Sequence, residues 1–164
     1  MTKAFLAIKY YDDMRNKETI ESIVNTLKKA NIDVFAFAKN IQNYEPCGFT
    51  PQETMEMCFS EIEKSDIFII EASEPSIGIG VEAGWAYCHD IPIYLIAKKD
   101  NEVSNSIKGI AKKVIFYNVV TADVFYNIFC LPKIFFKPIS KCLLKYLNFI
   151  MFKFFGNFSH FLKC

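Results

Sequence analysis

Short, predominantly apolar runs alternate along this chain with segments that carry apolar residues at helical spacing. The runs lie at residues 5–8, 32–38, 67–72, 91–97 and 114–117. The segments between them, predicted as helices, lie at residues 15–30, 50–64, 82–89 and 105–111. Strands that are apolar throughout and are joined by helices are typical of a parallel sheet covered on both faces. The sequence therefore predicts an α/β fold, a doubly wound five-stranded parallel sheet of the flavodoxin/Rossmann-like kind.

The loop after the third predicted strand carries two glycines and a glutamate, in the sequence SIGIGVE at residues 76–82. Gly78 and Gly80 would let a ligand approach the backbone closely, and the start of the next helix would offer unpaired N–H groups to an anion. Glu82 is expected in the first turn of that helix. The arrangement suits a sugar phosphate, while the alternative is a tight turn followed by a carboxylate that favours the helix dipole.

Three residues follow the first predicted strand and are candidates for the same site. In doubly wound sheets, ligands bind beyond the carboxyl ends of the strands, where the strand order reverses, and we expect the first and third strands to be neighbours there. Lys9, Tyr10 and Tyr11 are then predicted to share a crevice with residues 74–82. Lys9 would supply a charge to a phosphate and Tyr10 or Tyr11 a hydroxyl group. The alternatives are a solvated lysine and ordinary packing of the tyrosines at the strand end.

Charge is distributed unevenly along the chain. The net charge is +1, yet no acidic residue follows Asp123 and six lysines do, so residues 1–123 carry −5, the total less those six charges. Ten of the 17 phenylalanines lie in residues 124–161. We predict one domain, residues 1–120, followed by an apolar and basic tail, residues 121–164.

Three interpretations of the tail stay open. It packs on the domain or on a partner subunit, it comes from a non-native reading frame, or it lies on an anionic membrane surface as an amphipathic anchor. Lysines interrupt every apolar run of the tail, so no clean membrane span is expected. We favour the first two interpretations together over membrane contact.

Several classes of site and location are disfavoured by composition. The six cysteines form no C-x-x-C pair, and the two histidines are too few for a histidine-rich metal site. The N-terminus runs into a strand and has no features of a signal peptide. Nothing resembles a nucleic-acid-binding motif. We therefore expect a cytoplasmic protein that needs no metal or cofactor and binds no nucleic acid.

Three stretches together carry a family resemblance: SDIFIIE at residues 65–71, EPSIGIGVEAGWA at residues 74–86 and IKG at residues 107–109. Through them the chain resembles the nucleoside 2-deoxyribosyltransferase-like superfamily, which includes the 2′-deoxynucleoside 5′-phosphate N-hydrolases, over roughly residues 3–118. The resemblance implies that Glu82 is the nucleophile at the anomeric carbon of a nucleoside or nucleotide. It implies that Ser76, with the N–H groups of Gly78 and Gly80, holds the 5′-phosphate. It also implies a homo-oligomer.

Two positions depart from the family pattern. Cys58 stands eight residues before Asp66, where the family usually has a catalytic aspartate, and Phe5 aligns with its tyrosine on the first strand. A neutral thiol is a poor substitute for a carboxylate. Glu53 or Glu61, on the same predicted helix as Cys58, would have to reach the leaving base, and the alternative for both is a solvated face.

Four further residues have two interpretations each. Trp85 would wall the pocket or pack in the core, and His89 would share the side of Glu82 or cap the helix end. Asp66 is expected in a turn. Glu71 is unusual in an apolar strand and is expected at its carboxyl end, facing the crevice.

The function predicted from the sequence is cleavage or transfer of the N-glycosidic bond of a (deoxy)nucleoside or nucleoside 5′-monophosphate through a glutamate nucleophile. The alternative is a non-catalytic nucleotide-binding module of the same fold, which the replacement of the aspartate and the tyrosine would favour. A third possibility is an NAD-cleaving domain of similar sheet topology.

Overall fold

A computed structural model describes residues 1–45, 48–122 and 124–125 of the chain. The strands are β1 (Thr2–Ile8), β2 (Ile32–Phe35), β3 (Ile67–Glu71), β4 (Ile93–Lys98) and β5 (Lys113–Tyr117). The helices are α1 (Lys17–Lys29), α2 (Phe37–Asn40), α3 (Pro51–Glu63), α4 (Ile77–Cys88) and α5 (Asn105–Ile110). Nearly all of the predicted tail lies outside the described residues, and the boundary at residue 120 stays a prediction.

The five strands form one sheet in the order β2-β1-β3-β4-β5, and every neighbouring pair is parallel. The predicted α/β fold is confirmed, as is the expected pairing of the first and third strands. Ile8 at the end of β1 lies opposite Glu71 at the end of β3. Because the chain leaves β1 toward β2 and leaves β3 toward β4, the strand order reverses between them. That reversal opens a crevice beyond the two carboxyl ends.

Helices cover both faces of the sheet, because side chains alternate along each strand. Ala4, Leu6 and Ile69 face the layer that contains the buried side of α1. Phe5, Ala7 and neighbouring residues of β3 face the opposite layer, where α3 and α4 contribute Cys58, Ile62, Ile79, Ala83 and Ala86. The helices that carry Cys58 and Glu82 therefore pack on the same face of the sheet.

The start of α3 follows the predicted signal. Thr50 Oγ1 accepts the Glu53 N–H at 3.2 Å, and the Glu53 carboxylate accepts the Thr50 N–H at 2.8 Å, with Pro51 as the first helical residue. This reciprocal cap satisfies two backbone donors that the helix itself leaves unpaired. It sets the start of the helix two turns before Cys58.

The second strand is shorter than predicted. It ends at Phe35, and the one-turn helix α2 begins at Phe37. The side chain of Asn40 explains the break, because its Oδ1 accepts the backbone N–H of Ala36 at 2.9 Å and holds the turn closed. The turn brings Phe37 and Ala38 to the crevice.

Candidate active site

The helix that carries Glu82 begins earlier than predicted. It starts at Ile77, so Glu82 lies in its second turn, and the expectation of a first-turn carboxylate is wrong. Ser76 is the N-cap residue, with an extended backbone (φ −148°, ψ 134°) and no side-chain hydrogen bond to the helix. The N–H groups of the first turn have no acceptor within the helix and point toward the N-terminal end.

Gly78 and Gly80 are helical residues, not turn residues. Neither adopts a left-handed φ, and a Cβ at Gly80 would meet nothing within 4 Å. A Cβ at Gly78 would lie 3.8 Å from Ser76 Oγ, an ordinary contact. The tight-turn alternative is therefore wrong, and no contact among the described residues demands a glycine at either position.

A cavity of about 390 Å³ lies beyond the carboxyl end of β1. Four candidate residues from three parts of the chain line it: Lys9 and Tyr10 after β1, Cys58 on α3 and Glu82 on α4. Ser76, Gly78 and Gly80 are not among its lining residues. The structure thus brings the predicted nucleophile together with the residues after β1, and leaves the predicted phosphate loop outside the cavity wall.

Glu82 and Cys58 both line this cavity and interact closely enough that each changes the pKa of the other. Burial raises the pKa of Glu82 to about 7, against the opposing effect of the thiol, which stabilises the carboxylate as a donor. Burial, and then the Glu82 charge, also raise the pKa of Cys58, so the thiol stays protonated. Glu82 is half-buried in the cavity wall and is consequently partly ionised near neutral pH.

Phe5 is held by stacking and not by a polar contact. It is buried between Phe35 and Phe68, with ring centroids 5.5 Å and 5.4 Å away. It also lines the cavity. The position that carries a tyrosine in the resembling family therefore presents an apolar ring to the cavity of this protein.

The crevice shared by the end of β1 and the loop before α4 is present. Lys9 Nζ lies 3.0 Å from Glu74 Oε2, and the Tyr11 hydroxyl donates to the same oxygen. The pKa of Glu74 is lowered by Tyr11 and Lys9, in that order. Tyr10 is 45% exposed at the cavity mouth. Lys9 is thus at the predicted place, but it is already paired.

The two glutamates considered as compensation lie elsewhere. Glu53 is held in the cap of α3, and Glu61 pairs with Lys64 at 2.6 Å. Neither lines the cavity. Within the part of the chain that the structure describes, Glu82 is the one carboxylate in the cavity wall.

Trp85 and His89 form a separate cluster between α3 and α4. Trp85 stacks on Phe59 at 4.3 Å and on His89 at 4.6 Å, and its indole N–H donates to Glu63 Oε1 at 3.1 Å. His89 Nδ1 lies 2.9 Å from the Trp85 carbonyl oxygen. The packing interpretation of Trp85 is confirmed, because it does not line the cavity.

Glu71 ends β3 as expected, but it faces away from the crevice. It is 6% exposed and accepts hydrogen bonds from Ser73 and from the Tyr117 hydroxyl, the latter at 2.8 Å. The Ser73 hydroxyl in turn accepts the Lys98 N–H at 2.8 Å. This buried network ties the ends of β3, β4 and β5 together. Asp66 accepts the Lys3 N–H at 2.9 Å and joins the start of β3 to β1.

Most of the apolar residues in the cavity wall were not predicted from the sequence. Phe37 after β2, Phe49 before α3, Met14 before α1 and Met55 on α3 all line the cavity. Aromatic and thioether side chains suit the flat face of a nucleobase. These residues lie on four separate segments, so no spacing in the sequence connects them.

Two kinds of feature are absent from the described residues. They contain no group of three or more histidine, cysteine or acidic side chains that could hold a metal ion. None of their helices is long and apolar enough to cross a membrane. The expected cytoplasmic location, homo-oligomer and lack of a nucleic-acid partner stay predictions.

Known proteins resemble this chain in sequence or in fold. No protein-family model matches the chain. The chain is 26% identical over 112 residues to a Thermofilum pendens protein named "Putative 2′-deoxynucleoside 5′-phosphate N-hydrolase 1", covering 66% of this chain and 78% of that one.

Two solved structures share the fold. The CMP N-glycosidase BcmB of Clostridium botulinum superposes with a TM-score of 0.56 at 20% identity, over 77% of this chain and 98% of that one. A 2-deoxyribosyltransferase of Bacillus psychrosaccharolyticus gives 0.59 at 14% identity, over 80% and 93%. The Thermofilum pendens relative bears the name of an enzyme, which does not favour the non-catalytic alternative. In sequence and in fold, this chain resembles the nucleoside 2-deoxyribosyltransferase-like superfamily, which includes the 2′-deoxynucleoside 5′-phosphate N-hydrolases.

Proposed function

We propose that this protein is an enzyme that cleaves or transfers the N-glycosidic bond of a (deoxy)nucleoside or nucleoside 5′-monophosphate, with Glu82 as nucleophile. The observation that carries the proposal is a carboxylate with a pKa of about 7 in a cavity of about 390 Å³ with aromatic walls. A cavity of this size accommodates a small ligand. A perturbed carboxylate in such a cavity is a candidate nucleophile.

The chemistry follows the retaining course. A carboxylate oxygen of Glu82 attacks the anomeric carbon, the C–N bond breaks, and its electron pair leaves with the base, which takes up a proton from water. Water then attacks the same carbon of the glycosyl ester, loses a proton and regenerates Glu82. In the transferase variant of this reaction, a nitrogen of a second base replaces the water.

The substrate would be held by three kinds of contact. Phe37 and Phe49 would pack on the base, and the first-turn N–H groups of α4, with Ser76, Gly78 and Gly80, would face the 5′ end. Lys9 and Tyr10 would border the sugar at the mouth of the cavity. No metal or redox group is needed for these steps, since the carboxylate and water supply every bond that forms.

Cys58 changes how the leaving base is assisted. Its thiol is a hydrogen-bond donor to Glu82 with a raised pKa, so it stays protonated and does not act as a base. We propose that it stabilises the ionised form of Glu82. The base then leaves with a proton from solvent and not from a carboxylic acid of the protein.

The test is base release from a panel of nucleosides and 5′-monophosphates, followed by chromatography. Wild-type protein should release free base from at least one of them, and Glu82→Gln should lower the rate about 10³-fold or more, since the nucleophile is lost. Glu61→Gln is the matched control, because that carboxylate pairs with Lys64 outside the cavity. Equal base release by wild type and Glu82→Gln, or none by wild type, would refute the proposal.

A further inference from the structure

The charges at the cavity are few and are distributed unevenly. Among the described lining residues, Lys9 is the one cation and Glu82 the one anion. The negative charge of an anionic substituent on a substrate would therefore have to be stabilised by Lys9 and by the N–H groups at the start of α4. Glu82 follows Ile77 by five residues, about 7.5 Å along the helix axis.

Glu74 already forms a salt bridge with Lys9. Its Oε2 lies 3.0 Å from Lys9 Nζ and also accepts the Tyr11 hydroxyl. Glu74 precedes the N-cap residue Ser76 by two positions in the chain, and it does not line the cavity itself but pairs with Lys9, which does. A phosphate at this place would compete with Glu74 for both donors and would meet its negative charge.

A second cation, Arg15, lies near Glu74 and its charge also lowers the pKa of that carboxyl group. Arg15 lies with its guanidinium carbon 4.3 Å from the centre of the Tyr11 ring, but its Nε is paired with Asp13 at 3.1 Å. Asp12 and Asp13 line the adjacent surface hollow together with Tyr10 and Arg15. Lys9 and Arg15 are thus each already paired with a carboxylate, Lys9 with Glu74 and Arg15 with Asp13. Hydrogen bonds from Tyr11 and Lys9 lower the pKa of Glu74, so it is ionised at neutral pH.

We propose that Glu74 is a specificity-determining residue that makes the site discriminate against a 5′-phosphate and in favour of an uncharged 5′-hydroxyl group. This inference rests on the proposed function, because it places the 5′ end of the substrate at the start of α4. A 5′-hydroxyl donates a hydrogen bond to the Glu74 carboxylate and leaves its pairing with Lys9 intact. A 5′-phosphate, with a charge between −1.5 and −2, must displace Glu74 or remain beside it.

The first experiment compares matched substrates. The ratio of kcat/KM for a nucleoside to kcat/KM for its own 5′-monophosphate is measured for wild type, Glu74→Gln and the control Glu61→Gln. Glu61 also belongs to a lysine–glutamate pair, but it lies on α3 outside the cavity. Glu74→Gln should shift the ratio toward the monophosphate by about tenfold, because one negative charge a few ångströms from a phosphate is removed. Glu61→Gln should leave the ratio unchanged.

Salt gives a second readout. The preference of the wild type for the nucleoside should shrink as ionic strength rises, because an exposed carboxylate is screened. The same series with Glu74→Gln should be flatter. A ratio that Glu74→Gln leaves unchanged, or shifts toward the nucleoside, would overturn the inference.

A binding experiment separates this inference from the proposed function. The dissociation constants of the same two ligands are measured by calorimetry for Glu82→Gln and for Glu82→Gln combined with Glu74→Gln. If no protein releases base, the proposed function fails, while a tenfold gain in monophosphate affinity in the double variant would still support the role of Glu74. Equal affinities in the two variants, or no binding of either ligand, would overturn it whatever the catalytic result.

Discussion

The Cys58 thiol and the Glu82 carboxylate interact between α3 and α4, and the thiol lowers the pKa that burial of Glu82 raises. The two side chains lie on neighbouring helices that pack on the same face of the sheet. A thiol thus stands beside the predicted nucleophile at the position where the resembling family usually has a second carboxylate. The ionisation of Glu82 is governed by burial and by one weak donor, with no like charge in the pair.

The rate of base release should report this ionisation. Because the attacking form of Glu82 is the carboxylate and its pKa is about 7, kcat/KM should fall about tenfold per pH unit below pH 7 and level off above it. Cys58→Ala removes a donor that stabilises the carboxylate, so the acidic limb should move to higher pH. Cys58→Ser keeps a hydrogen-bond donor, so the pH at which kcat/KM begins to fall should stay unchanged or move to lower pH.

The control for that series is Cys88→Ala, since Cys88 is an exposed free cysteine at the end of the same helix as Glu82. Its profile should match the wild type. An acidic limb near pH 4.5 in the wild type, or one that Cys58→Ala does not move, would contradict the arrangement.

Glu82→Gln should be more stable than the wild type at high pH. A carboxyl group with a raised folded-state pKa contributes stability below its unfolded pKa of about 4.5, and that contribution is lost as the pH rises through 7. The loss should amount to about 3 kcal/mol at most. Urea denaturation at pH 5 and pH 8 should show the advantage of Glu82→Gln growing with pH. Glu61→Gln should show no such growth, and a constant difference for Glu82→Gln would count against the raised pKa of Glu82.

Gly80→Ala should stabilise the fold and weaken substrate binding. Gly80 lies within α4, and a Cβ there meets nothing within 4 Å, so alanine should add about 0.5–1 kcal/mol of helix stability. If a ligand approaches the backbone there, kcat/KM should fall several-fold. Gly84→Ala, on the same helix and equally open, should stabilise without that fall. Identical kinetics for the two variants would remove Gly80 from the substrate site.

Tyr117→Phe should destabilise the protein by about 1–3 kcal/mol, because it leaves the buried Glu71 with one donor fewer. Chemical denaturation at pH 7 measures the change. Tyr94→Phe is the control: Tyr94 is 5% exposed, and its hydroxyl has no hydrogen bond within the described part of the chain. A loss as large in Tyr94→Phe would show that the hydroxyl bond to Glu71 is not the cause.

Phe125→Ala should cost about 3–5 kcal/mol, because Phe125 is 1% exposed and packs in the core layer beside α1. Phe116→Ala should cost far less, since Phe116 is 49% exposed. Thermal unfolding of the full chain compares the two. A truncation that tests the tail should therefore retain Phe125. Equal melting temperatures for the two variants would argue against this packing.

Local sequence signals were sufficient for most of the fold. The apolar runs of the strands and the cap at Thr50 depend on residues that are close together in the sequence. Spacing and residue type therefore predicted the five parallel strands and the start of α3. The predicted bounds of β2 and α4 were wrong. A side chain bonded to the backbone ended β2, and glycines, which are poor helix formers, lie in the first part of α4. The hydrogen bond from the Ala36 N–H to Asn40 ends β2 at Phe35, and α4 begins at Ile77 although Gly78 and Gly80 lie near its start. Residues 36–38 were therefore predicted as strand and residues 77–81 as loop, because residue propensity is only a weak guide to secondary structure.

The sequence by itself determined the fold class, the neighbouring position of the first and third strands, and the helix that carries Glu82. The tertiary structure decided which side chains meet. Lys9 and Glu74 pair across 65 residues, and Cys58 and Glu82 meet from separate helices. A strand or helix follows from short-range periodicity, whereas such contacts depend on how the sheet order brings distant segments together. The charge of the cavity and the ionisation of its glutamate therefore became visible only once the chain was folded.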